Sequence, residues 1–152
     1  MTEKDKHPVS LQWTIGARRL TAESFGRPAR SICMACHIGR RDGAGIKWVK
    51  ALGIWDTGAT MTVVSPDVAR RLQLEPVDSM QAGAVGGSHE TVKAYGFVGL
   101  PNKKAYGPID VAIDVLPEGI DVLIGMDVIS IGTLTIRRKP DGGTLFTFDM
   151  NV

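Results

Sequence analysis

The chain has 152 residues, 43% of them hydrophobic and 22% charged, with a formal net charge of +2; this suits one globular domain with a real core and excludes a disordered chain. The basic residues are scattered as Arg40-Arg41, Arg70-Arg71 and Arg137-Arg138-Lys139 rather than gathered into a stripe, which argues against a nucleic-acid partner. No apolar run reaches the length of a membrane span, and residues 1–8 are charged and polar, without the apolar stretch of a secretory signal, so the expectation is a cytoplasmic protein with no membrane association.

In chain order, residues 1 to about 9 read as a disordered leader. Leu11, Trp13 and Ile15 alternate like a short strand, after which polar residues and Pro28 intervene; residues 1–30 are therefore an N-terminal extension of unassigned role, and 31–152 the folded domain. Residues 31–38 are compatible with a strand, 40–45 form a turn cluster, and 46–55 read as the returning strand, with Gly53 marking a close backbone approach. The hairpin delivers the chain to Asp56-Thr57-Gly58-Ala59-Thr60. A β-branched run, 62–64, precedes Ser65-Pro66-Asp67, a good helix start: a cap, a proline at the first helical position and an acid facing the dipole. That helix should stop before Pro76.

Residues 77–95 resemble a long hairpin with Gly86-Gly87 at its tip. Strands are predicted over 97–100 and 109–116, then a buried strand at 121–125 ending in Gly125, a short helix within 126–131, and a last hairpin, 134–138 with 145–148, across Pro140-Asp141-Gly142-Gly143. Frequent glycine, 18 residues, with many short Val/Ile/Leu runs favours a turn-rich β protein over a helical bundle.

Three pieces, in order, carry a resemblance to the retropepsin-like, or retroviral-type, aspartic proteases. The first is an apolar strand running into Asp56-Thr57-Gly58-Ala59. The second is Gly83-Ala84-Val85-Gly86-Gly87, which looks like the tip of the glycine-rich flap that closes over substrate in that family. The third is Val122-Leu123-Ile124-Gly125, similar to the segment that passes behind the catalytic loop, where the glycine allows close approach. The resemblance covers about residues 31–131. It implies an all-β fold, a closed acid-protease barrel with one or two short helices, and an aspartic endopeptidase without metal or cofactor.

In that chemistry two carboxylates a few ångströms apart share one proton, because like charges so close cannot both ionise. One then takes a proton from the attacking water while the other polarises the substrate carbonyl. This chain has a single Asp-Thr-Gly, so the resemblance implies a homodimer acting on a peptide or protein substrate, each copy supplying Asp56. It further implies that Thr57 locks the two loops together and that Gly58 offers its backbone to substrate. Ala59 would keep the floor narrow, Ala84, Val85, Gly86 and Gly87 would cover the substrate, and Leu123, Ile124 and Gly125 would support the loop. Viral members usually carry an acid at the position of Thr60 and an arginine at that of Met126, a pair that braces the dimer; both are missing together here.

Two other readings compete. A retropepsin-like domain with little catalysis would serve as a dimerisation or peptide-binding module. Cys33-Met34-Ala35-Cys36-His37 matches the c-type haem attachment pattern, but in a strand residues three apart point to opposite faces, so the two thiols could not easily share a ligand. Buried free thiols are the expectation.

Overall fold

The structure, a computed structural model, describes residues 9–84 and 87–150. The expected leader and two of the expected hairpin-tip residues, Val85 and Gly86, lie outside the described residues. In chain order the elements are β1 (Gln12–Ile15), β2 (Arg19–Glu23), β3 (Cys33–Asp42), β4 (Gly45–Trp55), β5 (Val63–Val64), α1 (Pro66–Leu72) and β6 (Asp78–Ala84). Then follow β7 (Gly87–Gly99), β8 (Ala105–Ile113), β9 (Val122–Ile124), α2 (Met126–Ile129), β10 (Gly132–Arg138) and β11 (Thr144–Met150). The fold is mainly β with two short helices. No described helix is long and apolar enough to cross a membrane.

Seven strands run in the order β3-β4-β9-β5-β8-β7-β6, and an additional β3–β7 pairing closes the first six into a barrel. The closing contact is short, with His37, Ile38 and Gly39 opposite Gly99, Val98 and Phe97. Closure removes the free edges that β3 and β7 would otherwise present. The barrel interior holds the inward residues of each strand, among them Met34, Ile38, Val98, Val111, Val122 and Ile124, all nearly or fully buried. A second sheet, β1-β2-β11-β10, joins strands from both ends of the described chain and packs Phe146 and Phe148 against Trp55, with ring centroids 5.3 and 4.8 Å apart.

α1 forms where expected. Ser65 caps it by accepting from the Val68 N–H at 3.2 Å, Pro66 occupies its first position, and Gln73 ends it in the left-handed region at φ 58°. Arg40 Nε donates to the orphan carbonyl of Leu72 at 2.6 Å, and Val68, Ala69 and Leu72 supply the core face.

Four elements differ from expectation. The strand expected over 109–116 instead runs from Ala105 to Ile113 as β8. The turn expected over 40–45 narrows to Gly43-Ala44, because Arg40, Arg41 and Asp42 pair with Lys47, Ile46 and Gly45 and extend the strand. The two strands expected near 77–95 and 97–100 merge in part, since β7 runs through to Gly99 with a register shift between Gly96 and Val98; a bulge absorbs the irregularity. β2 was not anticipated at all. Its only apolar inward residues are Leu20 and Ala22, both fully buried, too short an alternation to stand out among charged neighbours.

The two cysteines lie on opposite faces of β3. Cys36 is in the core and Cys33 is half-buried. Burial, with the nearby Asp121 charge adding to it, pushes the Cys36 thiol up to about 12. The unfolded thiol titrates near about 8.5, so its contribution to stability is constant below that pH and is lost as pH rises towards 12. At about pH 8 a thiol reagent should modify Cys33 and leave Cys36 untouched until the chain unfolds; mass-mapped labelling at equal rates would contradict the packing.

Candidate active site

The short strand β9 is inserted between the strand that enters the Asp56 loop and the strand that leaves it. On one side Ile54 and Trp55 pair in parallel with Leu123 and Ile124. On the other, Val63 and Val64 pair antiparallel with Leu123 and Val122. Residues 56–62 must therefore cross the end of β9. Asp121 reinforces the insertion: its carboxylate accepts from the Leu52 N–H at 2.8 Å, and its own N–H donates to the Leu52 carbonyl at 2.9 Å.

The loop is fixed by its backbone. Asp56 N–H donates to the Ile124 carbonyl at 2.9 Å, and Ala59 N–H returns to the Asp56 carbonyl at 3.3 Å in a tight turn. Gly58 N–H donates to Asp56 Oδ1 at 2.8 Å, which orients the carboxylate. Its Oδ2 has no partner among the described residues. Asp56 and Ala59 are half-buried, whereas Thr57 and Gly58 are exposed. Immediately before Asp56, Trp55 is 8% exposed and anchors the loop on the aromatic cluster. Its indole N–H is buried with no acceptor among the described residues, so shape rather than polar contact holds it.

Gly125 lies directly beneath. A Cβ there would sit 2.6 Å from both the carbonyl carbon and oxygen of Met61 and 3.0 Å from the Ala59 oxygen. These are backbone atoms, held further by the Met126 N–H donating to Ala59 O at 2.8 Å. Gly53 plays a similar part in β4, where a Cβ would meet Cys36 Sγ at 3.0 Å and Ile124 Cδ1 at 3.2 Å. Replacing Gly125 with alanine should cost about 3 kcal/mol, measurable as a lower urea midpoint at constant slope; an unchanged midpoint would mean the loop is free to move away.

A second connection was not anticipated from sequence. Thr62, fully buried, donates its N–H to Asp127 Oδ2 at 2.9 Å and its hydroxyl to Asp127 Oδ1 at 2.8 Å. The same hydroxyl accepts from Gly125 N–H at 3.3 Å, and Asp127 Oδ1 also accepts from Val128 N–H at 2.9 Å. One carboxylate thus ties the end of the Asp56 loop to the first turn of α2. The sequence signal was present but faint: a threonine heading a β-branched run, and an acid two positions after the glycine.

A family profile described as Aspartyl protease matches residues 47–128. That stretch holds the whole Asp56 loop, the β6–β7 hairpin and the β9–Gly125 segment. The chain belongs to the aspartyl protease family. Among solved structures, this aspartyl protease-family chain is similar to a retropepsin-like aspartic protease from Rickettsia conorii, at 13% identity and a TM-score of 0.51, covering 95% of this chain and 98% of the other. It also matches the EIAV protease at 18% identity, a TM-score of 0.48, and 66% and 86% coverage. The Simian Foamy Virus protease matches at 17% identity, a TM-score of 0.43, and 65% and 92% coverage. At these identities the likeness is one of fold: the chain has the retropepsin-like barrel. No curated protein matches the sequence.

Within this aspartyl protease fold the three segments singled out in the sequence occupy distinct places. Asp56, Thr57, Gly58 and Ala59 share one loop, and Gly125 packs under it. Ile124 is fully buried in the barrel core and reaches the loop through its carbonyl, while Leu123, on the opposite face of β9, is half-buried. Gly87 opens β7 and pairs with Ala84, and Gly83 pairs with Ser88 in the same ladder. The β6–β7 hairpin projects beyond the barrel, since among the described residues β6 pairs with β7 alone.

Proposed function

We propose that the chain is an aspartic endopeptidase that acts as a homodimer, the two copies of Asp56 forming one catalytic pair. The observation that carries this reading is a single half-buried carboxylate, held on its loop by one hydrogen bond to Oδ1, with Oδ2 unclaimed among the described residues. One such group is half of the required machinery. Set face to face across a two-fold axis, the two carboxylates share one proton and titrate as a pair.

The ionised member draws a proton from a water lodged between them, and the water oxygen attacks the scissile carbonyl carbon. The protonated member gives its proton to the carbonyl oxygen. The carboxyl that took the water's proton then passes it to the amide nitrogen while the other, now ionised, takes a hydroxyl proton from the diol; the C–N bond breaks, acid and amine leave, and the pair again shares one proton. The reaction uses two carboxylates and a water and calls for no metal or cofactor. Thr57 would fasten the paired loops, Gly58 would offer backbone to the peptide, and Ala59 would keep the floor narrow. Residues Ala84, Val85, Gly86 and Gly87 would close over the substrate as a flap; Leu123, Ile124 and Gly125 would hold the loop from behind.

Digestion of a peptide library at mildly acidic pH tests the proposal. Below the dimer dissociation constant, the cleavage rate should rise with the square of chain concentration, because the active species needs two copies. A rate linear in chain at every dilution would leave the single carboxylate without its partner and overturn the dimeric mechanism.

A further inference from the structure

The β7–β8 turn and the outer face of β3 and β4 enclose a cavity of about 410 Å³. Its walls include His37, Trp48, Leu100, Pro101, Lys103 and Lys104, and no acidic residue lines it. None of its lining residues lies in the Asp56 loop or the Gly125 segment. Neither lysine has a carboxylate partner among the described residues. A concave site of this size, part apolar and part cationic, suits one small ligand.

Both halves of the cavity are built into the fold. Trp48 sits on the seam that closes the barrel. Gly39 stands directly opposite it in the β3–β4 ladder, and Gly99 faces His37 across the closing contact. A Cβ on Gly39 would fall 2.7 Å from Cε3 and 2.8 Å from Cζ3 of the indole, and one on Gly99 3.1 Å from Cζ3. The ring therefore rests on bare backbone, with Phe97 edge-on to it at 6.4 Å between centroids, and Trp48 stays 38% exposed. The lysines stand on a braced turn. Lys103 N–H donates to the Leu100 carbonyl at 2.9 Å, and Leu100 N–H to the Lys104 carbonyl at 2.8 Å. Asn102 Oδ1 accepts from Lys104 N–H at 3.2 Å, while its Nδ2 donates to the Gly16 and Ala17 carbonyls at 3.3 Å. Lys103 itself holds the left-handed region, at φ 66°.

We propose that this cavity binds a small aromatic phosphate of the nucleoside monophosphate class, its ring stacked on Trp48 and its phosphate between Lys103 and Lys104. Stacking on an indole tolerates any flat ring, so Trp48 selects for a planar apolar body. The charge follows from the count of cations. A phosphate monoester carries about −1.5 to −2 near neutral pH, which two lysines match, whereas a carboxylate would leave one lysine unbalanced. His37 adds an imidazole N–H donor to the wall. The other basic residues are scattered along the chain, which favours a mononucleotide over a nucleic-acid strand, since a strand needs a concentrated basic track. The site stands apart from the peptide chemistry proposed above and does not depend on it.

Calorimetric titration of the full chain with adenosine monophosphate at low salt tests this. One saturable site per chain is expected. Adenosine and inorganic phosphate should each bind at least about 10-fold more weakly, since each keeps one half of the recognition. The double change Lys103→Ser and Lys104→Ser, at two exposed residues, should weaken the nucleotide at least about 10-fold, whereas Arg137→Ser, removing an exposed charge on β10, should not. Trp48→Leu should weaken it by a similar factor, and Trp48→Tyr should restore most of the binding by returning an aromatic platform. Circular dichroism checks the fold of each variant; should Trp48→Leu fail to fold, the lysine pair decides. No saturable binding, adenosine binding as tightly as the nucleotide, or a lysine double variant that binds like wild type would each overturn the site. So would a single-stranded oligonucleotide that binds where the mononucleotide does not.

Discussion

Asp56→Asn should abolish peptide cleavage, by at least about 10⁴-fold in kcat/KM, with no loss of fold. The substitution acts twice, once in each copy, and replaces a proton-sharing pair with two amides that can neither take a proton from water nor give one to a carbonyl. The structure predicts that stability survives, because the local demand on this side chain is one acceptor for the Gly58 N–H, and an asparagine oxygen meets it. A dimeric mechanism adds a consequence. Mixing equal amounts of wild-type and Asp56→Asn chains and allowing exchange should lower activity to about a quarter of the same total of wild type, since only pairs with both carboxylates work. Retention of half the activity would mean that each copy acts alone. A wild type that binds peptides yet never cleaves them, with Asp56→Asn binding as well, would favour a recognition module built on the same fold.

Asp127→Ala should destabilise the chain by about 3 kcal/mol and lower kcat more than it raises KM. The carboxylate accepts three hydrogen bonds, two of them from fully buried Thr62. Deleting it strands the Thr62 N–H and hydroxyl away from water, at about 1–3 kcal/mol for each group left unpaired. Asp127→Asn keeps one acceptor oxygen and should cost about half as much. Thr62→Val removes the hydroxyl, and in the double variant with Asp127→Ala the losses should be strongly non-additive, the coupling expected of groups that share one connection. Additive losses in urea unfolding would show that the two residues act separately. The kinetic split matters because a merely structural role would lower the amount of folded enzyme without altering kcat per folded chain, whereas a loop held out of register alters the chemistry itself.

The missing acid–arginine pair at Thr60 and Met126 gains meaning here. Viral relatives were expected to brace the dimer through those positions; in this chain the end of the Asp56 loop is tied to α2 through fully buried Thr62 and half-buried Asp127. Surface ion pairs contribute little, whereas a half-buried carboxylate that accepts from three donors, two of them on a fully buried threonine, holds the loop end in one geometry.

Local physics made much of the chain legible in its sequence. Ser65-Pro66-Asp67 marked the start of α1 because capping and proline geometry are decided within one turn. The apolar runs before Asp56 and before Gly125 announced β4 and β9, and the order of Asp-Thr-Gly, glycine-rich hairpin and Leu-Ile-Gly pointed to the family that the profile match then established. What tertiary structure alone decided are the long-range contacts. These are the insertion of β9 between β4 and β5, the β3–β7 pairing that closes the barrel, the pairing of β2 with β11, and the carboxylate of Asp127 meeting Thr62 across 65 positions. Sequence patterns report which face of a strand is apolar, because that is a property of neighbouring residues. Which strand lies beside it, and which buried polar groups must then find each other, depends on how the whole chain closes on its core.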